Sequence, residues 1–124
     1  MKVGIILGSN EASKVTYAGI HSLIETSLDN EVVLFATMDG IKAFLKQPDL
    51  KREESSSKLI VEKEDPFQYI RKAKNSGKAK IVVCSYATKL FNLNKDDYSD
   101  VVDDIEGVTS FELEIGDGKI ITIW

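Results

Sequence analysis

Ile81-Val82-Val83-Cys84-Ser85-Tyr86 is the stretch that decides the fold: four apolar residues run unbroken into a polar turn. An apolar run without period-two alternation is what a strand needs when both its faces are covered, as in a parallel sheet. Val3–Leu7 and Val32–Ala36 read the same way. Each run is followed by turn residues and then by a helical pattern, and strand alternating with helix points to a doubly wound sheet. The expected architecture is α/β: one three-layer domain over residues 1–124, with a mostly parallel sheet of about five strands and helices on both faces.

Composition narrows the function classes. The chain is 43% hydrophobic with a net charge of −4. That composition is globular, and its charge argues against nucleic acid or an anionic membrane as partner. Val3–Leu7 is too short for a signal peptide core or a membrane span, so a cytoplasmic location is expected. One cysteine and one histidine leave no disulfide and no metal cluster, and no cofactor is expected.

Between the strands, the pattern predicts a first helix over about Glu11–Leu28. Val15, Ala18, Gly19 and Leu23 lie on one face, and Ser9 or Asn10 caps its start. A second helix follows Thr37–Gly40 with Ile41, Phe44 and Leu45 inward, and Pro48 ends it. Residues 47–64 lose all periodicity and read as a mobile loop, with Leu59-Ile60-Val61 as a short strand or a docking patch. Asp65-Pro66-Phe67-Gln68 is a helix start with a capping box, and Gly77 is the matching stop. A short helix is expected over Ser85–Leu93. Another, capped by Asn94 and Asp97, is expected to carry Tyr98, Val101, Val102 and Ile105 and to close at Gly107. Residues 108–115 fit a strand or a helix equally. Gly116-Asp117-Gly118 then turns into a last strand, Lys119–Trp124.

Ligands of doubly wound sheets bind outside the carboxyl ends of the strands. That rule selects Gly8-Ser9-Asn10, Thr37-Met38-Asp39-Gly40 and Cys84-Ser85-Tyr86. A thiol at a helix N-terminus has its anion stabilised by free N–H groups, and the thiolate is the nucleophile. A small buried hydrophobe closing a strand explains Cys84 as well. The Gly8–Asn10 amides either cradle an anion or form a turn with a cap. Asp39 is either a base near Cys84 or an N-cap. Tyr86 and Lys89 either shape a pocket or lie on an open helix surface, and His21 reads as a packed or half-exposed helix residue.

Lys2–Ser9, Val32–Ile41 and Ile81–Leu93, followed by an acidic segment and Glu106-Gly107-Val108, resemble the DsrE/DsrF-like family, in particular its DsrE-type, peroxiredoxin-like branch. Asp39 stands where that branch usually carries an aromatic, and Glu106 where a second glycine is common. The resemblance implies a flavodoxin-like α/β fold, a helix over 108–115 and intracellular sulfur transfer through Cys84. In that reading Ser85 and Tyr86 offer amides to the thiolate, and Gly8–Asn10 with Thr37–Gly40 wall the pocket. It also implies homo-oligomers, trimers or hexamers with a dimer as the alternative, and partners of the TusA carrier type. With no second cysteine to resolve a persulfide, the acceptor thiol belongs to another molecule. The competing expectation is a non-catalytic binding or scaffold subunit in which Cys84 is packing.

Overall fold

The computed structural model describes residues 1–124. The three apolar runs are strands, β1 (Lys2–Leu7), β2 (Glu31–Ala36) and β3 (Ala79–Cys84). β4 (Asp104–Glu106) and β5 (Lys119–Ile123) complete one sheet in the order β4-β3-β2-β1-β5. Every pairing is parallel.

The helices are α1 (Ala12–Ser27), α2 (Ser55–Lys63), α3 (Gln68–Asn75), α4 (Ser85–Leu90) and α5 (Val108–Ile115). α1 packs against α3 on one face of the sheet, while α5 covers β1 and β2 from the other. Buried apolar residues form one cluster from Val3 to Ile123. Residues 108–115 are therefore helix, with Phe111 and Ile115 buried. No helix is long and apolar enough to cross a membrane.

Five expectations are corrected. Residues 47–64 are not a loop throughout: 55–63, including Leu59-Ile60-Val61, form α2. The cause is tertiary. The Glu11 carboxylate accepts the Glu53 and Glu54 amides at 2.9 and 3.2 Å, and the buried Ser57 hydroxyl accepts the Ser13 amide at 2.9 Å. The expected helix after Asn94 is only a 3-10 turn, Lys95–Asp97, although its capping box forms. Beyond it, Asp103 accepts the Ile81 amide at 2.8 Å and takes the Lys74 ammonium at 2.9 Å, which holds the chain extended as β4.

The caps differ as well. Ser9 accepts the Glu11 amide and Asn10 donates to the Asp49 carbonyl, so neither caps α1 with its side chain. Asp65 accepts the Phe67 amide at 2.9 Å, but Gln68 donates to Glu64 and the reciprocal bond is missing. The segment after Thr37 is a 3-10 helix, Met38–Phe44, which stops before Pro48.

Candidate functional site

The strand order steps one way from β1 to β4 and then jumps back past β1 to β5. The connections leaving β3 and β4 therefore depart in opposite directions, and the crevice of such a sheet falls at their carboxyl ends. Cys84 ends β3 and is in register with Glu106, which ends β4. Cys84 is also the residue before α4, whose first amides have no partner within the helix. Alternation along β3 puts Cys84 on the α5 face with Val82. The thiol is free and buried, with 4% of the residue exposed.

Two groups missed in the sequence hold this corner together. The Thr88 hydroxyl donates to the Cys84 carbonyl at 2.8 Å and lies 2.7 Å from the Tyr98 hydroxyl. Thr88 has spent its proton, so Tyr98 is the donor to Thr88. Burial above all raises the Tyr98 hydroxyl above its ordinary value, and the charge of nearby Asp97 adds to it. Tyr98 is held in turn by an antiparallel bridge to Leu45. It also lines a polar cleft of about 280 Å³ with Lys46, Lys95 and Ser99. Only the register of β3 with β4 and this fold-back bring residues 98 and 106 to the cysteine, and no local sequence signal marks them.

Glu106 is half-buried, with its carboxylate 3.7 Å from Lys80. Burial works against the Lys80 ammonium, but Glu114 and Glu106 outweigh it and hold its pKa above the ordinary value.

The other sequence candidates divide. A Cβ on Gly40 would strike the Leu7 carbonyl and come within 3.3 Å of the Ser9 nitrogen, so the Thr37 and Gly8 segments do meet. Part of the expected anion cradle is already used inside the fold. The Gly8 amide donates to Ile123 and the Gly40 amide to Thr37, both at 2.8 Å, and the Trp124 ring fills the space over Gly8. The Thr37 amide is likewise spent on Leu7. Asn10 is buried, with its side chain turned to Asp49. Asp39 is not an N-cap; its exposed carboxylate pairs with Lys42 at 3.3 Å, and the Lys42 ammonium sits 4.8 Å over the Phe91 ring. Ser85 is half-buried at the start of α4, and Tyr86 is exposed. His21 is half-exposed and edge-on to Tyr17.

The family model described as DsrE/DsrF-like matches residues 1–120. The chain belongs to the DsrE/DsrF-like family. That family is associated with sulfur relay. No curated protein sequence matches. Among solved structures, this DsrE-like chain is similar to MTH1491, a protein of unknown function from Methanobacterium thermoautotrophicum. The TM-score is 0.65 at 13% identity, over 98% of this chain and 97% of that one. It is also similar to the ychN protein from E. coli, with a TM-score of 0.63 at 13% identity over 99% and 100% of the two chains. At such identity the likeness establishes the fold and nothing finer.

One prediction arises at this corner. Tyr98→Phe removes a buried hydrogen bond worth about 1 kcal/mol, which raises the population of a locally open state about fivefold. Alkylation of Cys84 by iodoacetamide is expected to accelerate by that factor. An unchanged rate would show that Tyr98 does not control access to the thiol.

Proposed function

We propose that this protein is a cytoplasmic sulfur-relay carrier that takes sulfane sulfur onto Cys84 and hands it to a carrier protein of the TusA type. The observation that carries the reading is the position of Cys84. It ends β3 beside the reversal of strand order, where doubly wound sheets bind their ligands. Membership of a family associated with sulfur relay supports it.

In the loading step the Cys84 thiolate attacks the outer sulfur of a donor persulfide. A new S–S bond forms, the donor's S–S bond breaks, and the donor leaves as a thiolate, with no net gain or loss of electrons. The unpaired first-turn amides of α4, those of Ser85 and Tyr86 among them, favour the anion. With one cysteine in the chain, the thiol that takes the sulfur onward comes from the partner. Tyr86 and Leu90 stand exposed one turn apart on α4, and the 3-10 helix carrying the exposed Met38 packs against it. Together they offer that partner an apolar landing surface next to the cysteine.

Incubation with polysulfide or tetrathionate followed by intact-mass measurement tests the reading. The native protein is expected to gain a sulfur adduct, and Cys84→Ser to gain none. No adduct on the native protein, or one that survives the substitution, sinks the proposal.

Burial favours a second reading. A residue 4% exposed within the core cluster is also accounted for by packing, in a binding or scaffold subunit without chemistry. Native Cys84 that reacts with iodoacetamide only as fast as the protein unfolds globally would support that reading over the carrier.

A further inference from the structure

The 94–105 segment walls a cleft that no step of the relay uses. The Lys46 amide donates to the Asp97 carbonyl at 3.0 Å and the Ser99 amide to the Phe44 carbonyl at 2.9 Å, on either side of the Leu45–Tyr98 bridge. The cleft, about 280 Å³, lies between this pairing and Asp104 and Ile105 of β4, so its walls are backbone-built and formed in advance. β4 is one of the two strands at the reversal of strand order, where doubly wound sheets bind their ligands.

The walls carry charge of both signs. Lys46 and Lys95 stand on them with Asp96, Asp100 and Asp104, all exposed. None of these five belongs to any ion pair of the chain. The other carboxylates of the same segment are engaged: Asp97 accepts the Asn94 amide, and Asp103 takes Lys74 and the Ile81 amide. Thus the fold uses Asp97 and Asp103 and leaves the cleft's own charges free. Val102 and Ile105 add apolar wall beside them. Two simple occupants do not fit. A lone anion would face three carboxylates, and no acidic cluster in the chain converges closely enough to hold a metal ion.

We propose that this cleft binds a free α-amino acid with a short apolar side chain. Its carboxylate takes the Lys46 and Lys95 ammonium groups, its ammonium takes the Asp carboxylates, and its side chain lies against Val102 and Ile105. A zwitterion meets both sets of wall charges, whereas a ligand of one sign is opposed by one of them. The size agrees. At about 30 Å³ per water the cleft has room for roughly nine waters, which is one amino acid and not a peptide. Tyr98 lines the cleft and also bonds Thr88, so the site adjoins the cysteine corner without using its thiol.

Calorimetric titration of the native protein with L-methionine, L-leucine and L-valine tests the site, since each has both charges and no thiol. Saturable binding of at least one is expected. The amide of that amino acid, which lacks the carboxylate, and its N-acetyl form, which lacks the ammonium, are each expected to bind about tenfold more weakly, the ratio for losing a hydrogen bond between charged groups. The amide is titrated at mildly acidic pH, where its amine is charged. Lys46→Met/Lys95→Met is expected to lose about tenfold or more in affinity and none of its thermal stability, because neither lysine is ion-paired. Lys63→Met, outside the cleft on α2, is expected to bind as the native protein does. In the NMR spectrum the Ser99, Val102 and Ile105 amides are expected to move with the ligand. No saturable binding by any of the three amino acids would overturn the proposal. So would equal affinity for the free and blocked forms, or undiminished binding by the double lysine variant. The blocked forms decide the matter if that variant does not fold. None of these readouts depends on Cys84, so the relay proposal and this one fail separately.

Discussion

Phe111→Ala lowers the melting temperature by about 10–20 °C, because truncating a fully buried phenylalanine costs about 3–5 kcal/mol in a domain of this size. Phe111 has no exposed surface, and its ring stacks on Phe35 with centroids 4.6 Å apart. The site has little room to collapse. Phe35 is itself fixed in β2, and Gly4 lies under the ring, where a Cβ would come within 2.6 Å of Phe111. The resulting void keeps its full cost, a large share of the roughly 5–15 kcal/mol that holds such a domain folded. The same geometry predicts coupling. Gly4→Ala is destabilising in the native background and less so beside Phe111→Ala, since the methyl then meets only the Ile115 side chain, at 2.9 Å. Thermal unfolding of the two single variants and the double variant checks both statements; additive losses would show that the ring and the glycine are not in contact.

Glu11→Gln is expected to cost about 2–4 kcal/mol and to free α2 before the rest of the molecule unfolds. The Glu11 side chain is buried between α1 and the 51–57 segment, and its carboxylate accepts two backbone amides. Glutamine turns an NH₂ group towards donors that the carboxylate satisfied. Limited proteolysis at Arg52 or Lys58 should therefore accelerate more than global unfolding does.

The charge also sets a pH dependence. Burial opposes ionisation of Glu11, but bonds from Ser57 and from the Glu54 and Glu53 amides, with Lys51 nearby, outweigh it and hold the carboxyl below its ordinary value of about 4.5. The folded protein thus binds that proton more weakly than the unfolded chain. Its contribution is fully present above the ordinary value and is lost as pH falls through the lower folded value. Glu25, held chiefly by Lys119, titrates in the same sense. The acid limb of the native melting curve should be steeper than that of Glu11→Gln, and parallel limbs would count against this role.

Glu11 also shows where sequence reading stops. It looked like the first residue of a helix, and the residues it orders, 51–57, looked like unstructured polar chain. The bonds that make 55–63 a helix come from residues more than forty positions away. Likewise, 94–107 carries a valid capping box and an apolar helical face. The capping box forms, but Asp103 overrides the helical face by pairing with Ile81 and Lys74, and the chain beyond becomes an edge strand. At the site, the strand-end position of Cys84 was legible because a local apolar run ended there. Thr88, Tyr98 and Glu106 were not, since only strand register and the fold-back of the 94–102 segment bring them to it.

What the amino-acid sequence determined by itself is the set of buried strands, the long first helix, and the position of the one cysteine at a strand end. Local apolar runs and periodicities encode these directly, because burial on both faces leaves no room for polar alternation. The tertiary structure alone decided the helix over 55–63, the strand over 104–106, the use of the Gly8 and Gly40 amides inside the fold, and the burial of Cys84. Each of those depends on a hydrogen bond or a packing contact between distant residues, and local patterns carry no record of such partners.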